Sequence, residues 1–142
     1  MQITERAKRW SRRIGRAGEN TAARMLVSRG FEIVLRNCRT PRAEIDIIAR
    51  DGVTLVFVEV KTLFRRGNRP ARFRPMDNLS LHQKRRLVRG GSYYLRSLGS
   101  PNIKIRFDVV EVILSPFGPE AVFHHPDAFR RETVFRRRPA FF

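Results

Sequence analysis

Acidic residues are in short supply in this chain. Thirteen Asp and Glu face thirty Lys and Arg, a formal net charge of +17 over 142 residues, far more than solubility asks of a domain this size. That much positive charge calls for a polyanion. Nucleic acid is the usual one, because neutralised phosphates release condensed counterions and give affinity without regard to sequence; an acidic membrane surface is the main competitor. Cysteine is nearly missing as well. The single Cys38 cannot close an intramolecular disulfide, and no second Cys or nearby His stands at zinc-ligand spacing, so it reads as a small residue near a strand end. At the start of the chain, Met1 to Ile14 carry charges every few positions, the pattern of neither a signal peptide nor a membrane-spanning helix. The expected compartment is the cytoplasm, and a membrane is not an expected partner.

What is present suits one domain with a genuine core. The expected organisation is a basic arm over 1–14, a folded domain over 15–129, and a basic tail over 130–142 that includes Arg136, Arg137 and Arg138. Gly15 to Arg29 holds Gly18, Ala22, Met25 and Leu26 at helical spacing, with Gly30 as a left-handed stop. Three strand-like runs follow: Phe31 to Arg36, Glu44 to Ala49 and Thr54 to Thr62, the last two separated by Asp51-Gly52, a strong hairpin signal. Leu63 to Asn78 reads as a basic loop. Ser80 to Leu98 returns to helical spacing despite Gly90-Gly91, each costing about 1 kcal/mol against alanine. Ile103, Ile105, Phe107 and Val109 alternate as a strand, Glu120 to His124 pairs beside it, and Pro126 to Phe129 suits a short helix. The order α, β, β, β, α, β, β predicts a single-domain α/β sandwich with a mixed central sheet flanked by helices.

Two charges end an otherwise apolar strand. Val56, Val58 and Val60 share one face, while Leu55, Phe57, Glu59 and Lys61 share the other. With Asp51-Gly52 as a two-residue loop, Asp46 and Glu59 become diagonal neighbours on one face, roughly 7–8 Å apart at Cα, and Glu44 lies opposite Glu59. A bulge or a longer loop would flip that parity. Glu19 precedes Ala22, Ala23 and Leu26 by helical intervals, which puts a fourth carboxylate on an inward face. Crowded carboxylates repel without a counter-ion. Mg²⁺ (or Mn²⁺) suits them, being held by one or two carboxylates plus substrate phosphate, and the matching chemistry is phosphodiester hydrolysis, with Lys61 beside the developing charge. The plainer alternative is a cross-strand ion pair between Glu59 and Lys61, with Glu19 paired to Arg16 or Arg24 and Glu44 to Arg42 or Lys61.

The assembled residues are Gly18-Glu19, Ala22, Leu26 and Gly30, then Arg36-Asn37, Glu44-Ile45-Asp46-Ile47-Ile48-Ala49, Val56-Phe57-Val58-Glu59-Val60-Lys61 and Phe107-Asp108-Val109-Val110. Together they resemble the YraN or UPF0102 family, over about Gly15 to Phe129. The resemblance implies the fold of restriction endonucleases and Holliday-junction resolvases. It also implies the PD-(D/E)xK arrangement, with Asp46 and Glu59 as metal ligands, Lys61 as the catalytic lysine, and Glu19 as the additional helix carboxylate, catalytic and metal-binding, of resolvase-like members. Ala43 stands where the family usually has Gly, Leu63-Phe64 replaces polar or basic residues, and Gly90-Gly91 replaces small helix formers.

For nucleic acid, most simply DNA, the expected contacts are Arg65, Arg66, Arg69, Arg72 and Arg74, interleaved with Phe64 and Phe73 on the long loop, and Lys84 and Arg85 on the second helix. A solvated loop and a plain solvent face are the respective alternatives. His82, His124 and His125 lack partners at ligand spacing and read as surface or packing residues. Resolvases of this fold act as dimers because a junction presents two symmetric cuts, so a homodimer is among the expectations. The leading expectation is a divalent-metal-dependent DNA nuclease selective for branched structures. Its rivals are a non-catalytic nucleic-acid-binding module on the same fold and a structural protein of a large ribonucleoprotein.

Overall fold

A computed structural model of the chain describes residues 4–67 and 79–136. Helix α1 (Glu5–Ser28) begins at Glu5 rather than at Gly15. The basic run is helical because Thr4 caps it, its hydroxyl accepting the Ala7 N–H at 3.3 Å, and because no Gly or Pro interrupts the residues up to Ile14. Ile14 and Ala17 join Ala22, Ala23 and Leu26 on the sheet side. Gly30, at φ 90°, ends the helix as expected.

β1 (Glu32–Arg39), β2 (Glu44–Asp51) and β3 (Thr54–Phe64) then form an antiparallel meander. The β2–β3 turn is Gly52-Val53, one position later than Asp51-Gly52: Asp51 pairs with Thr54, and Gly52 takes φ 59°. Glycine at the first central position is what a primed hairpin turn requires. Leu63 and Phe64, expected in a loop, extend β3 because Ile113 and Leu114 of the next strand pair with them.

α2 (Leu81–Ser97) is unbroken and starts on a capping box between Ser80 and Gln83. The glycine pair has a packing reason. A Cβ on Gly90 would come within 3.2 Å of the Ala43 Cβ, and one on Gly91 within 3.2 Å of the Phe57 and Phe107 rings, so the helix gains close approach to the sheet at the expense of propensity. α2 leads into β4 (Lys104–Ser115), parallel to β3, and a hairpin returns β5 (Gly118–Phe129) antiparallel to it. Pro126 to Phe129 is strand rather than helix, because Phe129 is buried in a stack on Phe107 at 5.3 Å. The short helix α3 (Arg131–Val134) follows it.

The sheet order β1-β2-β3-β4-β5 contains one parallel pair, β3 with β4. α1 covers the face carrying Val56, Val58, Val60, Val110 and Val112, while α2 and α3 cover Leu55, Phe57, Phe107 and Val109. The chain is thus a single α/β domain with a mixed sheet between helices. Among the described residues no helix is long and apolar enough to cross a membrane.

Candidate active site

The β2–β3 ladder stops at Ile47 and Val58. One further step of that register would set Asp46 directly opposite Glu59, rather than diagonal to it, because the turn at Gly52-Val53 moves the register by two residues and keeps its parity. The same shift takes Glu44 off Glu59 and to the level of Lys61. In place of the next ladder bond, the Asp46 carboxylate accepts the Val60 N–H at 2.8 Å. Two acids therefore stand together where two strands part.

Their electrostatics follow from that confinement. Burial, then the neighbouring Glu59 carboxylate, pushes Asp46 up to about 7, against the Val60 N–H that favours its charge. Burial also raises Glu59, opposed by Lys61 and by a hydrogen bond from Asp46. The Lys61 ammonium lies 3.5 Å from the Glu59 carboxylate, and both side chains are mostly buried. Glu19 reaches the same charges from α1: burial and then Asp46 raise its carboxyl, while Arg36 lowers it. Arg36 is held beside α1 by donating to Asn20 Oδ1 at 2.7 Å.

α1 also shapes the space above these groups. Ser11, Gly15 and Glu19 follow one another at intervals of four on one helix face. Together with Trp10, Asp46, Glu59, Thr62 and Phe64 they help to line a cleft of about 430 Å³. A Cβ on Gly15 would meet nothing within 4 Å, whereas one on Gly18 would lie 1.9 Å from Thr62 Oγ1. The helix is pressed onto β3 at Gly18 and leaves room at Gly15.

The donor set is all oxygen. Two carboxyls in contact, both raised by burial and Asp46 further by the charge of Glu59, form a pair whose repulsion a divalent cation relieves. Among the described residues no three His, Cys, Asp or Glu side chains already enclose an ion position. Asp46 and Glu59 are the pair in direct contact, with Glu19 and Glu44 acting at Coulomb range. That pattern fits Mg²⁺, which keeps several waters and takes few protein ligands.

The expected nucleic-acid contacts divide. Arg66 is exposed, its guanidinium over the Trp10 and Phe64 rings at 5.7 Å each. Arg65 turns to Glu120 at 3.6 Å, and its own N–H is tied to Leu114 O. Arg85 donates to Val134 O at 2.7 Å and lies over Phe135, binding α3 to α2. Lys84, half-buried, follows in the first turn of α2. Arg69, Arg72 and Arg74, with Phe73, lie outside the described residues.

Two buried acids on β4, Asp108 and Glu111, have no role assigned from the sequence. Asp108 accepts from Arg106 at 2.8 and 2.9 Å, and lies 2.8 Å from His124 Nε2. Glu111 is bonded to His125. His124 and His125 are thus held by specific carboxylates, beyond simple packing. The signal was the one that marked Glu59: charges inside the apolar run Phe107 to Leu114.

Fold and site together define an α/β sandwich domain with a carboxylate and lysine cluster at the parting of two central strands. The family model described as "Uncharacterised protein family UPF0102" matches residues 18–112, a span that holds Glu19, Asp46, Glu59 and Lys61, and the chain belongs to that family. It is 50% identical over 108 residues to a UPF0102 protein of Symbiobacterium thermophilum, covering 76% of this chain and 88% of that one. It is also 39% identical over 124 residues to a UPF0102 protein of Desulforapulum autotrophicum, covering 86% and 89% respectively.

Proposed function

We propose that the protein is a divalent-metal-dependent nuclease of the restriction-endonuclease-like class, hydrolysing DNA phosphodiester bonds with a preference for branched structures. The observation that carries this reading is the Asp46–Glu59 pair, half-buried and in contact beside Lys61 where β2 and β3 separate. Asp46 and Glu59 would hold Mg²⁺ or Mn²⁺, with Glu19 reaching it from α1. The bound cation supplies an acidified water and offsets charge on the phosphate. Lys61, fixed two residues beyond Glu59 on a rigid strand, places a positive charge beside the scissile phosphate as negative charge develops there. The basic surface brings the polyanion to the cleft, and a homodimer would provide the second of two symmetric cuts at a junction.

The test is cleavage of labelled duplex, single-stranded, flap and four-way-junction DNA with Mg²⁺, Mn²⁺ or EDTA, for the wild type and Glu59→Ala. Metal-dependent cutting absent from the variant supports the reading and names the substrate. Tight binding with no cutting under any metal favours the second reading, a non-catalytic binding module, which the +17 net charge alone would explain.

A further inference from the structure

A second groove lies on the first turns of α1, outside the carboxylate cluster. Arg6, Arg9, Trp10 and Arg13 stand at helical intervals of three, four and seven, so they share one face. With Arg66 from beyond β3 they line a groove of about 820 Å³. Trp10 meets Phe64 edge to face at 5.1 Å, and Arg66 lies over both rings. Trp10 and Phe64 also line the carboxylate cleft. Trp10, backed by Phe64, is therefore the wall shared by a cationic groove and an acidic one.

Packing does not account for this arrangement. Trp10 is 43% exposed, and among the described residues none of the four arginines has a carboxylate partner, Glu5 being paired with Lys8. Converging arginines repel until an anion joins them, and an open indole loses by facing water. Both are satisfied by a chain of phosphates and flat bases. We propose that this groove is the track for an unpaired stretch of nucleic acid, bases stacking on Trp10 and phosphates held by Arg6, Arg9, Arg13 and Arg66, leading the adjoining phosphate to the carboxylate cleft. A duplex offers the arginines its phosphates but offers Trp10 no free base face. The last clause of the proposal rests on the nuclease reading; the binding does not.

Trp10 is the only tryptophan in the chain, so its emission reports the event directly. The full-length protein in EDTA is titrated with a short oligothymidylate and with a blunt duplex, following Trp10 emission and the anisotropy of labelled DNA together. The single strand is expected to quench Trp10 in step with the anisotropy rise, and the duplex to bind without quenching. Trp10→Ala should weaken oligothymidylate binding about tenfold, the size of one base stack, with Trp10→Phe retaining most of it, and Arg66→Ala should lower the salt slope by about one. No binding, binding with unchanged emission, equal quenching by the duplex, or unchanged affinity in Trp10→Ala overturns the track. A protein that binds and quenches but never cuts keeps the track and loses the nuclease; one that cuts without quenching does the reverse.

Discussion

The Asp46 carboxylate accepts the Val60 N–H at 2.8 Å, so a side chain of β2 occupies the place that a β2 carbonyl holds elsewhere in the ladder. The acid is thereby fixed to the strand that carries Glu59, and the two are held close despite their repulsion.

That confinement sets a pH dependence for the metal-free protein. A carboxyl whose folded value lies above its unfolded one holds its proton more tightly in the native state. The native state is then favoured at low pH and loses the advantage as pH rises, here from the ordinary Asp value of 3.8 through about 7. In EDTA the melting temperature should therefore fall between pH 5 and pH 8. Asp46→Asn, which keeps an acceptor for Val60, should flatten the fall and raise the Tm at pH 8 by about 5 °C. Mg²⁺ should restore the wild type at pH 8 and not the variant. An Asp46→Asn protein no more stable than wild type at pH 8 in EDTA would show that the pair stores no such repulsion.

Lys61 and Glu59 should separate by assay although they lie 3.5 Å apart. Removing a cation from beside the carboxylates makes their potential more negative, so Lys61→Ala should bind Mn²⁺ as well as or better than wild type while cutting about 10²–10³-fold more slowly. Glu59→Gln should lose both metal and cutting. Calorimetric Mn²⁺ titration and single-turnover cleavage read the two effects. Loss of metal affinity in Lys61→Ala would place Lys61 in support of the ligands rather than at the phosphate.

Two glycines of α1 should respond to alanine with opposite signs. Helix propensity alone favours Ala by about 1 kcal/mol at either position. At Gly15 a Cβ meets nothing, so Gly15→Ala should raise the Tm. At Gly18 it would lie 1.9 Å from Thr62 Oγ1 and 2.9 Å from its Cβ and Cγ2. The clash outweighs propensity there: Gly18→Ala should cost about 1–3 kcal/mol in denaturant unfolding, and adding Thr62→Ala should recover part of it. Equal stabilisation by the two substitutions would mean that α1 does not press on β3.

These packing details mark where sequence reasoning ran out. Alternation named the faces of β3 correctly, Val56 and Val58 toward α1, Leu55 and Phe57 toward α2, because period-two burial depends on the strand alone. The Asp46–Glu59 pairing was legible for the same reason, since shifting the turn to Gly52-Val53 changed the register by an even number. The helical start at Glu5 was not legible, because charged residues spaced along an exposed helix leave little apolar period. Nor were the reasons for Gly18, Gly90 and Gly91, which lie in Thr62, Ala43, Phe57 and Phe107, contacts that only the tertiary fold creates. The carboxylate partners of His124 and His125 were not legible either, because they sit on a neighbouring strand, beyond local spacing.

The Asp108 network should govern the acid limb of stability. Asp108 is fully buried on β4 and accepts both Arg106 bonds and the Asp127 N–H at 2.9 Å. His124 Nδ1 lies 3.2 Å from the Arg29 guanidinium, which can only donate, so Nε2 carries the proton that Asp108 receives. Burial by itself would raise the Asp108 carboxyl. The bonds from His124, Arg106 and the Asp127 N–H outweigh it and hold the group below 3.8. A carboxyl lowered by folding contributes stability that is complete above the unfolded value and disappears as pH falls through the folded one. Wild-type unfolding free energy should therefore drop below about pH 4. Asp108→Asn removes the charge and leaves Arg106 without its main partner. It should cost about 3 kcal/mol at pH 7, the lower end for breaking a buried pair because Arg106 keeps Asp51 and some solvent. Its unfolding curve should converge on that of the wild type only as pH falls through the folded Asp108 value, below which both carry a neutral side chain at 108. A gap that stays constant through the whole acid limb of the wild type would assign the cost to lost packing, and that limb would then belong to other carboxylates.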